Sequence, residues 1–486
     1  MLLKQTWLYL PAQIIAPAVQ LLSVLIWAHL LPVEEVGIAT LVVAMQDVLF
    51  AGLFMWWSHF MLRYLPRYST QEQRSGFRRA ELVAILGSTV AHILIMLVIS
   101  HYYFDEPITP FFYFSVTTFV TVRSLAAYLA ERARSDVKIL LYTCLQAVFP
   151  AIGLVLSIIV SLYVSATAEY VLLAMMLPQL IGILIVISQT DVGRGAGRPD
   201  MSVLKSAVMF GLPVTAGSLL AVVALNAPRF IVDHTLGIAA TGIFAVSYGL
   251  GIRASSFAVM LVTAGAYPLA VRKMEQEGLD AAYKQLATNM TLVALAVAPV
   301  ACGLIGINTS VINSFLPEVM RETAYVLLPL STLCGLFRYL RSHTTDQVFL
   351  IRSKPRYVTM IATVDLVLAV GLTYVGLLNF GLWGAVLGPL VTAILTWATS
   401  LLIAGLKFGF PFPAWTIFRI IGAAVLMMLA VLALPTTTSP FILAAQVAMG
   451  FALYAALLIA FFPKICSERA RKLLARKTKA KQEVSK

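Results

Sequence analysis

Charge is scarce in this chain. Only 12% of its 486 residues are Asp, Glu, Lys or Arg, against 60% hydrophobic ones. A water-soluble protein of this length cannot cover its surface with so few charges. Cysteine is scarce too, with four dispersed residues, Cys144, Cys302, Cys334 and Cys466. They suggest neither a disulfide framework nor a metal site, and Cys466 reads as a free thiol, with palmitoylation the lesser alternative. His29, His59 and His92 stand apart without metal-ligand spacing. No metal and no cofactor is expected. Gly-Lys-Ser/Thr phosphate loops, HExxH and GxSxG are missing. No polar stretch is long enough for a soluble nucleotide-binding or catalytic domain. An ATP-driven pump is thereby excluded, no enzyme site emerges, and transport driven by a gradient is what remains.

What the chain has is apolar length. Its mean hydropathy is +0.90, and runs of about 20 apolar residues recur, each able to cross the hydrocarbon core. The expected fold is all-α and integral to the membrane, with about fourteen transmembrane helices. They are placed at 7–31, 36–60, 79–101, 110–133, 137–164, 169–189, 203–227, 236–262, 284–307, 323–350, 357–378, 382–405, 415–434 and 440–462. No small-residue cleavage site follows the first, so it reads as a retained helix.

The charges orient these spans. Lys4 precedes the first. Basic residues follow the second (Arg63, Arg67, Arg74, Arg78, Arg79), fourth (Arg132, Arg134, Lys138), sixth (Arg194, Arg198, Lys205), eighth (Arg272, Lys273, Lys284), tenth (Arg352, Lys354, Arg356) and twelfth (Lys407). The alternate loops hold Glu34, Glu35, Asp105, Glu106, Glu169, Glu318 and Glu322, with only Arg229 and Arg321 basic. This places both termini in the cytoplasm. The net charge of +13 is therefore mostly topology and not a nucleic-acid footprint; the basic tail is suited to anionic headgroups of the bilayer.

"QTDVGRGAGRPDMS" (189–202) divides two similar halves. "LLPVEEVGIATLVV" (30–43) resembles "TLGIAATGIFAVSY" (235–248), with Gly37 opposite Gly242. "FVTVRSLAAYLAERARSDVK" (119–138) aligns with "FRYLRSHTTDQVFLIRSKPR" (337–356), setting Arg123 against Arg341. The plan is a pseudo-symmetric parallel repeat: a six-helix lobe over 1–190, an inter-lobe loop at 191–202, a second lobe over 203–406, two further helices over 407–463, and the tail 464–486. Repeats of this kind place a substrate between bundles that rock against each other. Pro11, Pro17, Pro213 and Pro228 interrupt the first and seventh helices and suit bending there, although prolines are common in membrane helices generally.

Charges inside spans are costly and mark function or pairing. Asp47 lies in the second span, and the repeat sets it opposite Ile252, beside Arg253. The two either pair as a structural bridge or share a wet cavity. Arg123 either snorkels to headgroups, the favoured reading, or faces the lumen; for Arg341 with Asp346 the two accounts are balanced. Arg229 and Asp233 flank the outer end of the seventh helix. Asp365 has no basic partner in its own helix, so it is either a proton-exchanging carboxyl or one hydrogen-bonded between helices.

Three stretches, "HLLPVEEVGIATLVV", "LNAPRFIVDHTLGIAATGIFAVSYGLG" (225–251) and "LLNFGLWGAVLGPLVTAI" (377–394), together with the 6+6+2 plan, resemble the polysaccharide transporter family. These are the Wzx-type oligosaccharide-lipid flippases of the multidrug/oligosaccharidyl-lipid/polysaccharide exporter superfamily. Pro228 stands where that family carries an acid beside its basic residue. The resemblance implies export of a polyprenyl-diphosphate-linked oligosaccharide, a repeat unit of O-antigen, capsule or exopolysaccharide, across a bacterial inner membrane. It implies substrate contacts from Arg253, Asp47, Arg229, Arg341 and Arg123. Ion coupling is expected at Asp47, Asp365 and Asp346, and a polysaccharide polymerase and chain-length machinery are the expected partners. A drug antiporter of the same superfamily is the alternative, opposed by the two extra helices and by a cavity richer in Arg than in acids. An integral-membrane polymerase would need a larger outer loop than the roughly fifteen residues at 308–322.

Overall fold

The computed structural model of the chain describes residues 2–68, 70–104, 109–192, 194 and 198–463, with side chains from 14 onward except 66 and 261–265. Asp105, Glu106, Cys466, the basic tail and part of the inter-lobe loop lie outside the described residues.

Apolar segments in hydrocarbon must satisfy every backbone group internally, and helices do this. The helices are α1 (Leu2–Leu30), α2 (Val33–Leu53), α3 (Met55–Tyr64), α4 (Gln71–Tyr103), α5 (Pro110–Ser135), α6 (Ile139–Tyr163), α7 (Ala168–Gln189) and α8 (Met201–Leu236). They continue with α9 (Ile238–Glu277), α10 (Leu279–Gly306), α11 (Asn308–Phe315), α12 (Glu318–Ile351), α13 (356–380), α14 (382–402), α15 (Ala414–Leu432) and α16 (Pro440–Phe461). Among the described residues, eleven helical stretches are long and apolar enough to cross a membrane. One of the eleven, 356–407, doubles back at Gly381, α1 has a shorter apolar run at Ile14–Leu30, and α5 is charged at its end. The whole is consistent with fourteen crossings.

Three departures from the expected spans have local causes. The second span is two helices, α2 and α3, divided at Phe54, where the Leu53 carbonyl accepts from Ser88 Oγ at 2.6 Å and Trp56 Nε1 at 2.9 Å. Helix α9 runs well past residue 262, carrying Arg272, Lys273, Glu275 and Glu277 beyond its apolar part, until Gly278 at φ +86° ends it. The expected loop at 308–322 is largely helical, as α11 and the start of α12.

Glycine permits the tightest contacts. Gly381, at φ +60°, makes the turn between α13 and α14. The two helices then pack so closely that a Cβ on Gly384 would stand 1.8 Å from the Gly376 carbonyl oxygen. Proline leaves a different trace. It removes the donor for the carbonyl four residues earlier, and side chains take up two such carbonyls. Tyr325 O, orphaned by Pro329, accepts from Asn308 Nδ2 at 2.8 Å, and Leu295 O, orphaned by Pro299, accepts from Tyr454 Oη at 3.2 Å. The second bond ties α16 to α10, and α15 and α16 share a buried core with α10 and α12.

The repeat is visible where α2 meets α9. A Cβ on Gly37 would lie 2.2 Å from the Ile238 carbonyl oxygen, and one on Gly242 2.3 Å from that of Val33. Residues 37 and 242, like 33 and 238, are separated by 205 positions in sequence. Each contact is therefore the symmetry mate of the other, as a two-fold relation between the halves requires. Nearby, Tyr103 Oη on α4 donates to Asp233 Oδ2 on α8 at 2.7 Å. Both contacts lie at the end of the bundle that carries the acidic loops.

Candidate functional site

Helix α2 turns Thr40, Val43, Asp47 and Phe50 to one side, at the three- and four-residue spacing of a helical face. They border a cavity of about 230 Å³ shared by α1, α2, α5, α6, α7, α8 and α9. Its charged lining is Asp47, Arg123, Arg229 and Arg253. A second cavity of about 220 Å³, reaching Tyr248, Ser256 and Tyr339, shares Gln20, Asp47, Arg229 and Arg253 with the first. Side chains from both halves thus converge on one polar space.

No ion pair within 4.0 Å joins Asp47 to any of the three arginines among the described residues. The bridge to Arg253 weighed from the sequence is not made, although the charges of Arg123, Arg229 and Arg253 all act on this carboxylate. Each arginine is instead tethered to a neutral oxygen. Arg123 Nε donates to Gln46 Oε1 at 2.8 Å, Arg229 Nη1 to Asn226 Oδ1 at 2.8 Å, and Arg253 Nη1 to the Gln20 carbonyl at 2.9 Å. Arg123, for which snorkelling was the favoured expectation, faces this inner cavity, with its guanidinium 5.8 Å from the Phe119 ring centre.

Arg341, Asp346 and Asp365 stand elsewhere. None lines either cavity. Asp365 is fully buried and accepts from Arg338 Nη2 at 3.2 Å and Arg341 Nη2 at 3.0 Å. Arg341 also lies 3.4 Å from Asp346, which accepts from Ser400 Oγ at 2.9 Å. A π-helical turn at Arg341–Thr345 sets Arg341 and Asp346 on the same side of α12. Arg341, expected among the substrate contacts, thus lies apart from both cavities, as do Asp346 and Asp365, the acids expected to couple ions alongside Asp47. Buried Arg341 and the nearly buried Arg338 are neutralised by two buried aspartates, which is the low-energy way to hold such charges out of water. The basic partners of Asp365, Arg338 and Arg341, come from α12, the helix that precedes its own in the chain.

Some residues escaped a search for charge. Gln46 and Asn226 are neutral amides, yet they hold two cavity arginines. The only available hint was their position, next to Asp47 and three residues before Arg229. Glu81 was also missed; fully buried on α4, it accepts from Arg132 Nε at 2.9 Å and from the Tyr128 hydroxyl.

Fold and cavity define a polytopic α-helical membrane protein with a central, net-cationic space between two bundles. Its fold is that of known transporters. A structure described as lipid II flippase MurJ in an inward closed conformation matches with a TM-score of 0.75 at 12% identity, over 94% of this chain and 99% of that one. An inward-facing multidrug resistance MATE family transporter of the MOP superfamily matches with a TM-score of 0.61 at 15% identity, over 82% and 99%. A Vibrio cholerae MATE transporter matches with a TM-score of 0.55 at 15% identity, over 86% and 98%. No protein-family model and no curated protein sequence matches the chain.

Proposed function

We propose that this protein is a flippase that carries a polyprenyl-diphosphate-linked oligosaccharide from the cytoplasmic to the outer leaflet of a bacterial inner membrane. The observation that carries this reading is the cavity: three arginines against one aspartate between the bundles, with one hydrogen bond to each guanidinium among the described residues. Charge inside a membrane is costly and marks a functional pathway where acids do not neutralise it. Arg123, Arg229 and Arg253 bind the diphosphate through charge-assisted hydrogen bonds. The polyprenyl chain stays in apolar surroundings. One candidate resting place is the apolar cavity of about 190 Å³ between α10, α15 and α16, where Pro299, Gly303, Met427 and Gly450 form the walls.

The lobes, 1–190 and 203–406, rock about the cavity to expose it to either face. The Gly37–Gly242 crossing holds α2 against α9 and the Tyr103–Asp233 bond holds α4 against α8, at the end this reading takes as the outer one. Asp47 couples the cycle to an ion gradient: an arriving anion competes for the arginines around it and leaves the carboxylate open to a proton. The termini lie in the cytoplasm, and the exported unit feeds polysaccharide assembly.

The test is a deletion strain. Lipid-linked oligosaccharide should accumulate in the cytoplasmic leaflet and clear when the gene is restored. Export of single units by the deletion strain would point to a polymerase and reject the flippase reading.

A further inference from the structure

We propose that Gln46 and Asn226 are positioning residues that fix the cavity arginines without discharging them, and so select a lipid carrier whose headgroup bears two negative charges. The inference rests on the flippase reading and adds the two neutral residues that set the charge of its site.

Among the described residues, the two buried arginines outside the cavity, Arg132 and Arg341, are held by acids, as is Arg338 beside Arg341. Arg132 pairs with Glu81 and Asp136, and Arg338 and Arg341 pair with Asp365. The cavity departs from that habit. Its arginines use Gln46, Asn226 and a backbone carbonyl. Gln46 is 3% exposed and Asn226 2%, so these amides form a built shell behind the guanidinium groups. Each amide is itself oriented: Gln46 Nε2 donates to Ser124 Oγ at 3.2 Å, and Asn226 Nδ2 to the Val222 carbonyl at 3.0 Å. A guanidinium has donors only, so each amide must turn its oxygen to the arginine.

The chemical consequence is a charge count. With Gln46 and Asn226 neutral, three guanidiniums and the Asp47 carboxylate leave a formal +2 in the two joined cavities. A diphosphate esterified at both ends keeps one strongly acidic oxygen on each phosphorus and carries two negative charges at neutral pH. A singly phosphorylated carrier, esterified at both ends, carries one. The cavity matches the first. Glutamate at 46 or aspartate at 226 would have nearly the same shape and would lower the count to +1.

The full chain in detergent would be titrated with two probes, a short prenyl diphosphate hexose and the corresponding prenyl monophosphate hexose. The unmodified protein should bind the diphosphate probe about tenfold or more tighter, given one extra charge contact in a poorly solvated site. Gln46→Glu and Asn226→Asp should each reduce that ratio about tenfold, mostly by weakening the diphosphate probe. Gln46→Met removes the tether and keeps the charge, so it should weaken both probes in proportion and leave the ratio in place. An unmodified protein that binds both probes alike overturns the inference. So does an unchanged ratio in whichever acidic variant folds. Flipping of the diphosphate probe in proteoliposomes is scored separately. Selective binding without flipping rejects the transport reading alone, and flipping with unselective binding rejects the charge inference alone.

Discussion

Asp365 offers the sharpest separation between a carboxylate that holds the fold and one that carries ions. It is fully buried and bridges Arg338 and Arg341 at 3.2 and 3.0 Å. Replacing it by alanine leaves Arg338 without an acid, while Arg341 keeps Asp346 at 3.4 Å. Breaking a buried pair by removing one partner costs about 3–5 kcal/mol, and one orphaned guanidinium puts Asp365→Ala in that range. The paired replacement Arg338→Met with Asp365→Leu removes one charge of each sign and leaves Arg341 with Asp346. Apolar substitution of a whole ion pair is often neutral or stabilising, so the double variant should recover most of the loss. The assay is unfolding of the purified protein in detergent, by heat and by denaturant, for the parent, the single and the double variant. If Asp365→Ala unfolds with the parent, or the double variant is no better than the single, the structural account is wrong. A stable Asp365→Asn that no longer responds to an imposed pH difference in proteoliposomes would assign Asp365 to coupling instead.

Arg253→Ala should abolish flipping with near-normal folding, because the guanidinium's partner among the described residues is one carbonyl at 2.9 Å; Arg253→Lys should retain part of it, and full flipping in the alanine variant would remove Arg253 from the site. Asp47→Asn should still bind substrate but flip it without regard to a proton gradient, as measured in proteoliposomes with and without a pH step. Gly384→Val should leave little folded protein in the membrane on an immunoblot, since even a Cβ there would overlap the Gly376 carbonyl. Asp200 caps α8 by accepting from Ser202 N at 2.9 Å and Ser202 Oγ at 2.6 Å, and those donors hold its carboxyl below the ordinary carboxylate range. Asp200→Ala should cost about 1 kcal/mol in denaturant melts. The cap's contribution is full above the ordinary carboxylate pKa and is lost as the pH falls through the lower folded value, so parent and variant should converge in acid.

Helix existence was legible because hydropathy in a membrane protein is set by the solvent, and the alternation of basic and acidic loops reinforced it. Helix ends were less so. Lys284 lies within α10 and Arg272 within α9, because a helix continues into water until something such as Gly278 stops it. The glycines were legible as marks of close packing, but their partners were not. Gly37 and Gly242 could be aligned from sequence, yet only the structure brings them into reciprocal contact.

The charged residues show why a repeat alone does not assign a site. Arg123 and Arg341 are repeat mates, 218 positions apart. At the same offset, Asp346 corresponds to Tyr128 and Asp365 to Ala147. The second half therefore carries both acids that neutralise its arginine, and the first half carries neither. Arg123 finds Gln46 instead and keeps its charge in the cavity. Burial favours neutralised pairs wherever an acid is within reach, so an arginine tethered to a neutral amide instead is the feature that the proposed anion binding accounts for. Asp365 lies on a helix that the alignment of 119–138 with 337–356 did not include, and for that reason the divergence of the two arginines could be read only once α12 and α13 were seen side by side.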